Sequence, residues 1–355
     1  IRATLSHLPE RTHQHPENNH DPLPCPEWPG TGSDAHLHDA HLARVEDPIL
    51  YSLPDDLWEM LVEQYGDESA RQLATSLKQT APLDLRVNLR KTSREKVVEM
   101  LAEEELEAEI IDWTPAGVRL QGRVARNRLT PVTRGLAEIQ DIGSQCIAPL
   151  LTAKPTQHVV DLCAGAGGKS LHIADLMENK GRITALDTSA GRLKAVGPRS
   201  RRAGVRIIRT QAIRHEADPK LRPLTGKVDA VLVDAPCTGI GTLRRTPETA
   251  WRLTEDAITT FTLRQGALLD AGARLVRPGG TLVYATCSLL SQENQQVVKG
   301  FLNDQPGFKM LNATAILNHA GFTLDPEQNP WESGLALLPH QHGCDGFYMA
   351  VFRRK

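Results

Sequence analysis

Three apolar runs in this chain end in residues that can do chemistry. Val159-Val160-Asp161-Leu162 passes into Cys163-Ala164-Gly165-Ala166-Gly167-Gly168-Lys169-Ser170, residues 228–233 pass into Asp234-Ala235-Pro236-Cys237-Thr238-Gly239, and residues 281–285 pass into Thr286-Cys287-Ser288. The first reads as a strand, a turn nearly free of side chains, and a helix from Lys169. Such a turn lets a ligand approach backbone N–H groups, because no Cβ stands in the way. G-x-G-G alone also suits a tight structural turn. The next apolar run, Arg182-Ile183-Thr184-Ala185-Leu186, ends however in Asp187, about where a βαβ unit presents a carboxylate to ribose hydroxyls. Capping a helix from Ala190 is the blander role for that acid. Turn and acid together describe a nucleotide-type cofactor site.

Ligands of open α/β sheets sit at the carboxyl ends of the strands, so a carboxylate and two thiols are delivered to the edge that holds the glycine turn. A lone cysteine so placed is ordinarily a buried structural thiol. Two on different strands, with Asp234 beside one of them, read instead as working groups. A chemistry that uses a thiol, a carboxylate and a nucleotide-like cofactor together is alkylation of a pyrimidine at C5. That carbon becomes nucleophilic once a thiolate adds at C6 and a neighbouring group protonates or hydrogen-bonds N3. The C5 proton must then leave before the thiolate is expelled, a step that a second group assists. Cys287, Asp234 and Cys237 would fill these roles, and spacing does not say which cysteine attacks.

These groups need a doubly wound sheet to position them, and the order of elements suits one. A basic helix is expected over residues 192–202, a third strand over 205–209, a fourth over 228–233 and a long helix over 255–275. A turn at 277–280, a fifth strand over 281–285 and a helix over 292–302 follow. Upstream, Leu57, Met60, Leu61 and Tyr65, then Ala70, Leu73 and Leu77, are the apolar faces of two short helices. Residues 82–88 alternate like a strand, Ser93 opens a helix over 94–106 with a solvated acidic face, and short strands are expected at 109–112, 118–120 and 129–132. Residues 139–145 lead into an apolar helix over 146–151 placed to close over the cofactor. The expected organisation is a polar, poorly ordered arm over 1–47, a small α/β module over 48–138, and a catalytic domain over 139–355.

The chain has 355 residues with 41 basic against 43 acidic side chains, so net charge says nothing about partners. Its distribution does: residues 182–227 hold twelve Lys/Arg against three acids, and Arg244-Arg245 beside the second cysteine segment add to an electropositive flank suited to phosphates. Six scattered cysteines without a CxxC pair exclude a disulfide framework or zinc site and point to thiols in a reducing cytoplasm. No apolar run approaches the ~20 residues that span a bilayer. Seven of the thirteen histidines fall in residues 1–47, but their irregular spacing describes an arm, not a metal site. The chain begins at Ile1, so an upstream segment is expected to be missing.

DLCAGAGGKS, VDAPCTGIGTLRRTPETAWRL and YATCSLLSQEN resemble the motifs of the RNA cytosine-C5 methyltransferases, the RsmB/Sun and NSUN group that uses S-adenosylmethionine. PLDLRVN at 82–88, IQDIGSQ at 139–145 and DGFYMAVFRR at 345–354 match as well, so the likeness covers roughly residues 54–355. It implies a Rossmann-like class I methyltransferase fold, with a doubly wound, mostly parallel seven-stranded sheet, acting as a monomer on RNA, most closely the 16S rRNA. It implies that Cys287 is the nucleophile, that Cys237 promotes release of product, and that Asp234 contacts the target ring and the cofactor end. Lys169 joins that catalytic set. Cys163, Ala164, Gly165, Ala166, Gly167, Gly168, Lys169, Asp187, Arg192 and Asp234 are the implied cofactor contacts, with no metal.

Two departures stand beside the resemblance. Relatives usually carry an N-terminal helical RNA-binding domain of NusB type, which residues 1–47 are too short and too polar to form. The family also commonly places an acid after the third strand, against adenine, where this chain has Thr210-Gln211-Ala212-Ile213. Altered RNA docking and altered cofactor affinity are the corresponding expectations. A NAD-dependent oxidoreductase lacks a use for two strand-end cysteines. A catalytically impaired RNA-binding or assembly factor of the same fold is the competing reading, and the intact thiol segments speak against it.

Overall fold

The computed structural model describes residues 47–122, 124, 129–329, 331 and 333–355. The expected arm, its histidine cluster and Cys25 lie outside the described residues, apart from Asp47 at the arm's end. Among the described residues, twelve strands run in chain order as β1 Leu83–Val87, β2 Ala108–Ile110, β3 Gly117–Leu120, β4 Ala137–Ile139, β5 His158–Asp161, β6 Arg182–Asp187, β7 Ile208–Ala212, β8 Val228–Asp234, β9 Val276–Thr286, β10 Phe308–Leu311, β11 Leu335–Leu337 and β12 Phe347–Arg354. The main sheet has the order β10-β12-β9-β8-β5-β6-β7, with β11 pairing β12.

β5 to β9 pair in parallel, and β12 runs antiparallel to β9, β10 and β11. The sheet is therefore mixed, with an eighth strand beyond the seven expected. Its central strands are apolar on both faces because helices cover both. Val159, Ile183, Leu232 and Val283 point into one core, and Val160, Leu186, Val231 and Leu282 into the other. Strand order reverses at β5, which has β6 on one side and β8 on the other, and that is where such sheets open a crevice at their carboxyl edge.

Several local expectations shift for identifiable reasons. Residues 129–132 form no strand. Pro131 cannot donate to a ladder but suits the first turn of the short helix Thr130–Thr133. The third strand starts at Ile208, not Val205, because the Val205 N–H is spent on Ser200 O at 2.8 Å. The basic helix divides into Ala190–Leu193 and Val196–Ala203. Residues 277–280 lie within β9, as an irregularity where Gly279 has φ 71°. The apolar segment after residue 145 is a 3-10 turn, Ala148–Leu151, buried beneath the sheet and not at the cofactor edge.

A second sheet, of order β2-β3-β1-β4 and wholly antiparallel, is covered by the helix Arg94–Glu103, whose Ser93 cap accepts from Lys96 N at 3.3 Å. β1 alternates in type but not in burial: Asp84 and Arg86 are as buried as Leu85 and Val87. Their polar face is turned inward, onto ion pairs. Asp84 takes Arg119 Nε at 2.7 Å, and Arg86 reaches out of its own sheet to Asp175 at 2.7 Å and Gln140 at 2.8 Å. Asp175 belongs to the helix Gly168–Leu176, so the small domain is pinned to the element that follows the glycine turn.

The helices Asp55–Tyr65 and Asp67–Lys78 bury Leu57, Leu61 and Leu73 against Ile240, Leu243, Leu289 and Leu290. Gln64 and Tyr65 donate to Leu289 O at 2.6 and 2.8 Å. They brace the segment that follows Cys287.

Removing Arg86 while Asp175 and Gln140 stay buried leaves acceptors short of a partner, with only Arg90 at 3.0 Å still beside Asp175. Arg86→Met is expected to cost about 2–4 kcal/mol in urea unfolding. A loss below about 1 kcal/mol would show that this pair does not hold the two sheets together.

Candidate functional site

β5 delivers Asp161, fully buried, whose carboxyl accepts from Ser170 Oγ at 2.6 Å across the glycine turn. Gly165 and Gly167 have φ values of 55° and 82°, the left-handed region that glycine enters without strain. Both are also crowded from behind. A Cβ on Gly165 would run into the Arg192 guanidinium, and one on Gly167 would lie 2.9 Å from Val196 Cγ2. The turn already uses several of its own N–H groups: Ala164 N donates to Leu186 O at 2.8 Å, Gly165 N to Asp187 Oδ2 at 2.8 Å, and Gly167 N to Ala164 O at 2.9 Å.

Asp187 therefore ties the end of β6 to the turn, and its Oδ1 accepts from Ser189 N at 2.7 Å. The cap of the helix Ala190–Leu193 is Ser189, whose Oγ accepts from Arg192 N at 3.2 Å. The helix-cap role weighed for Asp187 is thus filled by another residue.

β8 and β9 lie side by side in parallel, with Asp234 opposite Ala285. Ala235 N donates to Ala285 O at 2.8 Å and Gly241 N to Cys287 O at 2.9 Å, so the two strand-end loops run together. The Cys237 and Cys287 sulfurs stand 3.4 Å apart. Lys169 Nζ donates to Asp234 Oδ2 at 2.6 Å. Burial works against the Lys169 charge, but the charge and hydrogen bond of Asp234 outweigh it and raise the ammonium pKa. The hydrogen bond with Cys287, then burial, then the charge of Cys287 push the Cys237 thiol well up. Either sulfur can be the donor in the hydrogen bond between them. Cys163 is also pushed up, by burial and then by the neighbouring acids, so it presents an uncharged thiol.

One cavity of about 380 Å³ joins these groups, within the range usual for small-molecule sites. Cys163, Lys169, Asp187, Arg192, Asp234, Cys237 and Cys287 all line it. Ala164, Gly165, Ala166, Gly167 and Gly168 do not: they form the frame behind its wall. Arg192 Nη1 lies 3.8 Å from Asp187 Oδ2. Sequence reasoning missed Glu216, Arg264 and Phe347 on the same wall. Glu216 is the next acid after β7, and with Ile213 it reaches the cavity on the side where residues 210–213 supply no acid. Arg264 sits within the long helix Glu255–Leu275, where nothing local distinguishes it from a solvated charge.

Of the twelve basic residues over 182–227, ten are exposed; Arg199 and Arg202 are spent on Glu138 at 2.8 and 2.7 Å. Arg244 and Arg245 do not extend this surface as expected. Arg244 is buried against Asp345 at 3.0 Å, and Arg245 pairs with Asp345 and Asp141. Among the described residues, no cluster of His, Cys, Asp or Glu could hold a metal ion, and no helix is long and apolar enough to cross a membrane.

The family model for 16S rRNA methyltransferase RsmB/F matches residues 148–353, and that for the ferredoxin-like domain of RsmF/B-like methyltransferases matches residues 53–126. A Synechocystis protein named "Probable ribosomal RNA small subunit methyltransferase B" is 37% identical over 86% of this chain and 67% of its own. The ribosomal RNA small subunit methyltransferase B of Pasteurella multocida is 31% identical over 90% of this chain and 67% of its own. The chain thus spans about two thirds of the length of these relatives. The crystal structure of NSun6 from Pyrococcus horikoshii with SFG superposes with a TM-score of 0.73 at 23% identity, covering 86% of this chain and 99% of that one. The main sheet is accordingly that of Rossmann-like methyltransferases, and the smaller sheet belongs to a ferredoxin-like domain.

Burial pushes the Asp161 carboxyl up to about 7, against the opposing hydrogen bond from Ser170. A folded pKa above the unfolded one means the folded state binds more protons between them, so this group's contribution is full in acid and is lost as pH rises through about 7. The stability difference between wild type and Asp161→Asn, from urea unfolding, should fall by about 2–3 kcal/mol between pH 5 and pH 8. A difference that stays flat would show Asp161 ionised throughout.

Proposed function

We propose, from the premise that the chain belongs to the RsmB/F family of 16S rRNA methyltransferases, that it methylates C5 of a cytosine in RNA through a covalent adduct between Cys287 and C6 of the base. The observation that carries this reading is the single cavity lined both by Asp187 and by the two touching sulfurs of Cys237 and Cys287. Its residues fit S-adenosylmethionine. Asp187 offers a carboxylate to ribose hydroxyls, Leu162, Ile213 and Leu268 offer an apolar wall to a flat base, and Glu216 offers an acceptor for an exocyclic amine. When bound, that cofactor supplies an electrophilic methyl group.

The protein's own groups do the rest. The Cys287 thiolate adds to C6, forming the S–C6 bond and moving the C5–C6 electron pair onto C5, which would spend that pair on a bond to the methyl group the cofactor supplies. Lys169 and Asp234 form a donor–acceptor pair that complements the ring edge of a cytosine, whose N3 and O2 accept and whose N4 amine donates. With Cys287 bonded to carbon, its hydrogen bond and charge, two of the causes that raise the Cys237 thiol, are gone. Cys237 then loses its proton to solvent, and its thiolate takes the proton from C5. The C5–C6 double bond re-forms, the S–C6 bond breaks and Cys287 leaves as thiolate. Residues 48–138 and the exposed basic flank are assigned to RNA docking, and residues 139–355 to catalysis. The target cytosine must leave its stack to reach the sulfur, which favours one in a loop or an opened helix.

Denaturing electrophoresis with RNA and S-adenosylmethionine separates the thiols. Cys287→Ala should abolish methylation and any covalent complex. Cys237→Ala should still attack and methylate yet stall before elimination, leaving protein attached to RNA. A trapped complex with Cys287→Ala and none with Cys237→Ala would reverse the two roles.

A further inference from the structure

The strand register brings Asp234 level with Ala285 but ends at those residues, three residues before Cys237 and two before Cys287. Beyond it the chain needs another device to hold Cys237 and Cys287 in contact. Glu293, wholly buried, sits at that point. Its Oε1 accepts from Thr238 N at 2.9 Å and from Gln265 Nε2 at 2.9 Å. Its Oε2 accepts from Thr238 Oγ1 at 2.5 Å and from the Ser288 hydroxyl. Thr238 follows Cys237 in the chain and Ser288 follows Cys287, so one carboxyl oxygen bridges the loops one residue from each sulfur-bearing residue. Gln265 adds a third element, because it also donates to Pro236 O at 3.0 Å from the long helix. The neighbouring Asn294 closes the second loop on itself, accepting from Thr286 Oγ1 at 2.6 Å and donating to Ser288 O at 2.9 Å.

We propose that Glu293 is the positioning residue of the thiol pair, the clasp that holds the Cys237 loop against the Cys287 loop. This rests on the reading of the two cysteines as working groups. All four donors converge on one acceptor-only group, which no neutral side chain of that size can match, since an amide would turn its own N–H bonds toward two of them. A buried carboxylate is a costly filler and is ordinarily out-performed by an apolar one where only stability is at stake. Glu293 hydrogen-bonds to the residues beside the cysteines and not to either sulfur, so it acts through the loops and through its charge on Cys237. Its loss should let the thiols drift, and a displacement of about 1 Å at reacting atoms costs on the order of a hundred-fold in rate.

The full chain carrying Glu293→Gln is compared with wild type in four readouts. These are the melting transition, S-adenosylmethionine affinity by calorimetry, the rate of covalent complex formation with RNA containing 5-fluorocytosine, and the yield of a Cys237–Cys287 disulfide under limiting diamide. The 5-fluoro base cannot lose a C5 proton, so attack is scored without release. The expected result is a folded protein that binds cofactor within about two-fold of wild type, forms the complex about a hundred-fold more slowly, and loses most of the disulfide yield. Complex formation within about three-fold of wild type and an unchanged disulfide yield would overturn the proposal. So would a loss of rate that merely follows loss of folded protein. Should Glu293→Gln not fold, Ser288→Ala removes one donor alone and is expected to give the same two effects, at about ten-fold in rate, and normal values for both would again overturn it. If wild type itself forms no complex with RNA, the reaction scheme fails, while the diamide yield still decides the role of Glu293.

Discussion

The parallel pairing of β8 with β9 is the constraint on which the site depends. It places the ends of two strands that are far apart in sequence at one level of one sheet edge, with Asp234 opposite Ala285. Everything beyond those ends is loop, and loops of this length do not hold two sulfurs 3.4 Å apart without help from other elements. The help comes from three directions. The N-terminal helices brace Leu289, the long helix reaches in with Gln265, and Glu293 bridges the loops themselves. The glycine turn on β5 completes the edge, with Lys169 carrying its ammonium across to Asp234. Cofactor frame and reactive groups are thus one hydrogen-bonded assembly.

Buried charge is concentrated where the two sheets and the strand-end loops meet. Arg86 with Asp175, Arg119 with Asp84, and Arg244 with Asp345 are all largely removed from water. Desolvation makes such pairs poor sources of stability compared with apolar packing, but each is expensive to mismatch. Arg86 with Asp175 joins the two sheets and so restricts how the ferredoxin-like domain docks, whereas the other two pairs each lie within one domain. A small domain fixed in this way keeps a constant distance from the thiols, whereas an apolar seam would tolerate sliding.

How much of this the sequence discloses follows a physical line. Strand ends, the glycine turn and the long helix Glu255–Leu275 are legible because they depend on local patterns: apolar runs, missing side chains, helical spacing. The residues Cys237, Cys287, Asp234, Lys169 and Asp187 stand at such ends, and the fold brings all five to one cavity. Illegible were features set by tertiary partners. The acid–base alternation of β1 suggested a half-exposed strand, and only the far-off Asp175 and Arg119 explain its burial. Arg244-Arg245 read as phosphate contacts until Asp345 claimed both. Pro131 was a local signal that the strand expectation at 129–132 passed over. Glu293 looked like an ordinary polar residue at the start of a helix, since its four donors come from positions 5 to 55 residues away.

The central claim is chemical: the protein's thiol pair makes C5 of a cytosine reactive. Bisulfite sequencing tests it most directly, because a 5-methylcytosine resists conversion where an unmodified cytosine does not. Small-subunit rRNA lacking the modification is incubated with the protein and S-adenosylmethionine bearing a labelled methyl group, then sequenced after bisulfite treatment. The account predicts label in the RNA together with a newly protected cytosine. Label incorporated with every cytosine still converted would contradict it, because the methyl group would then sit on another atom and the two cysteines would have no part in placing it.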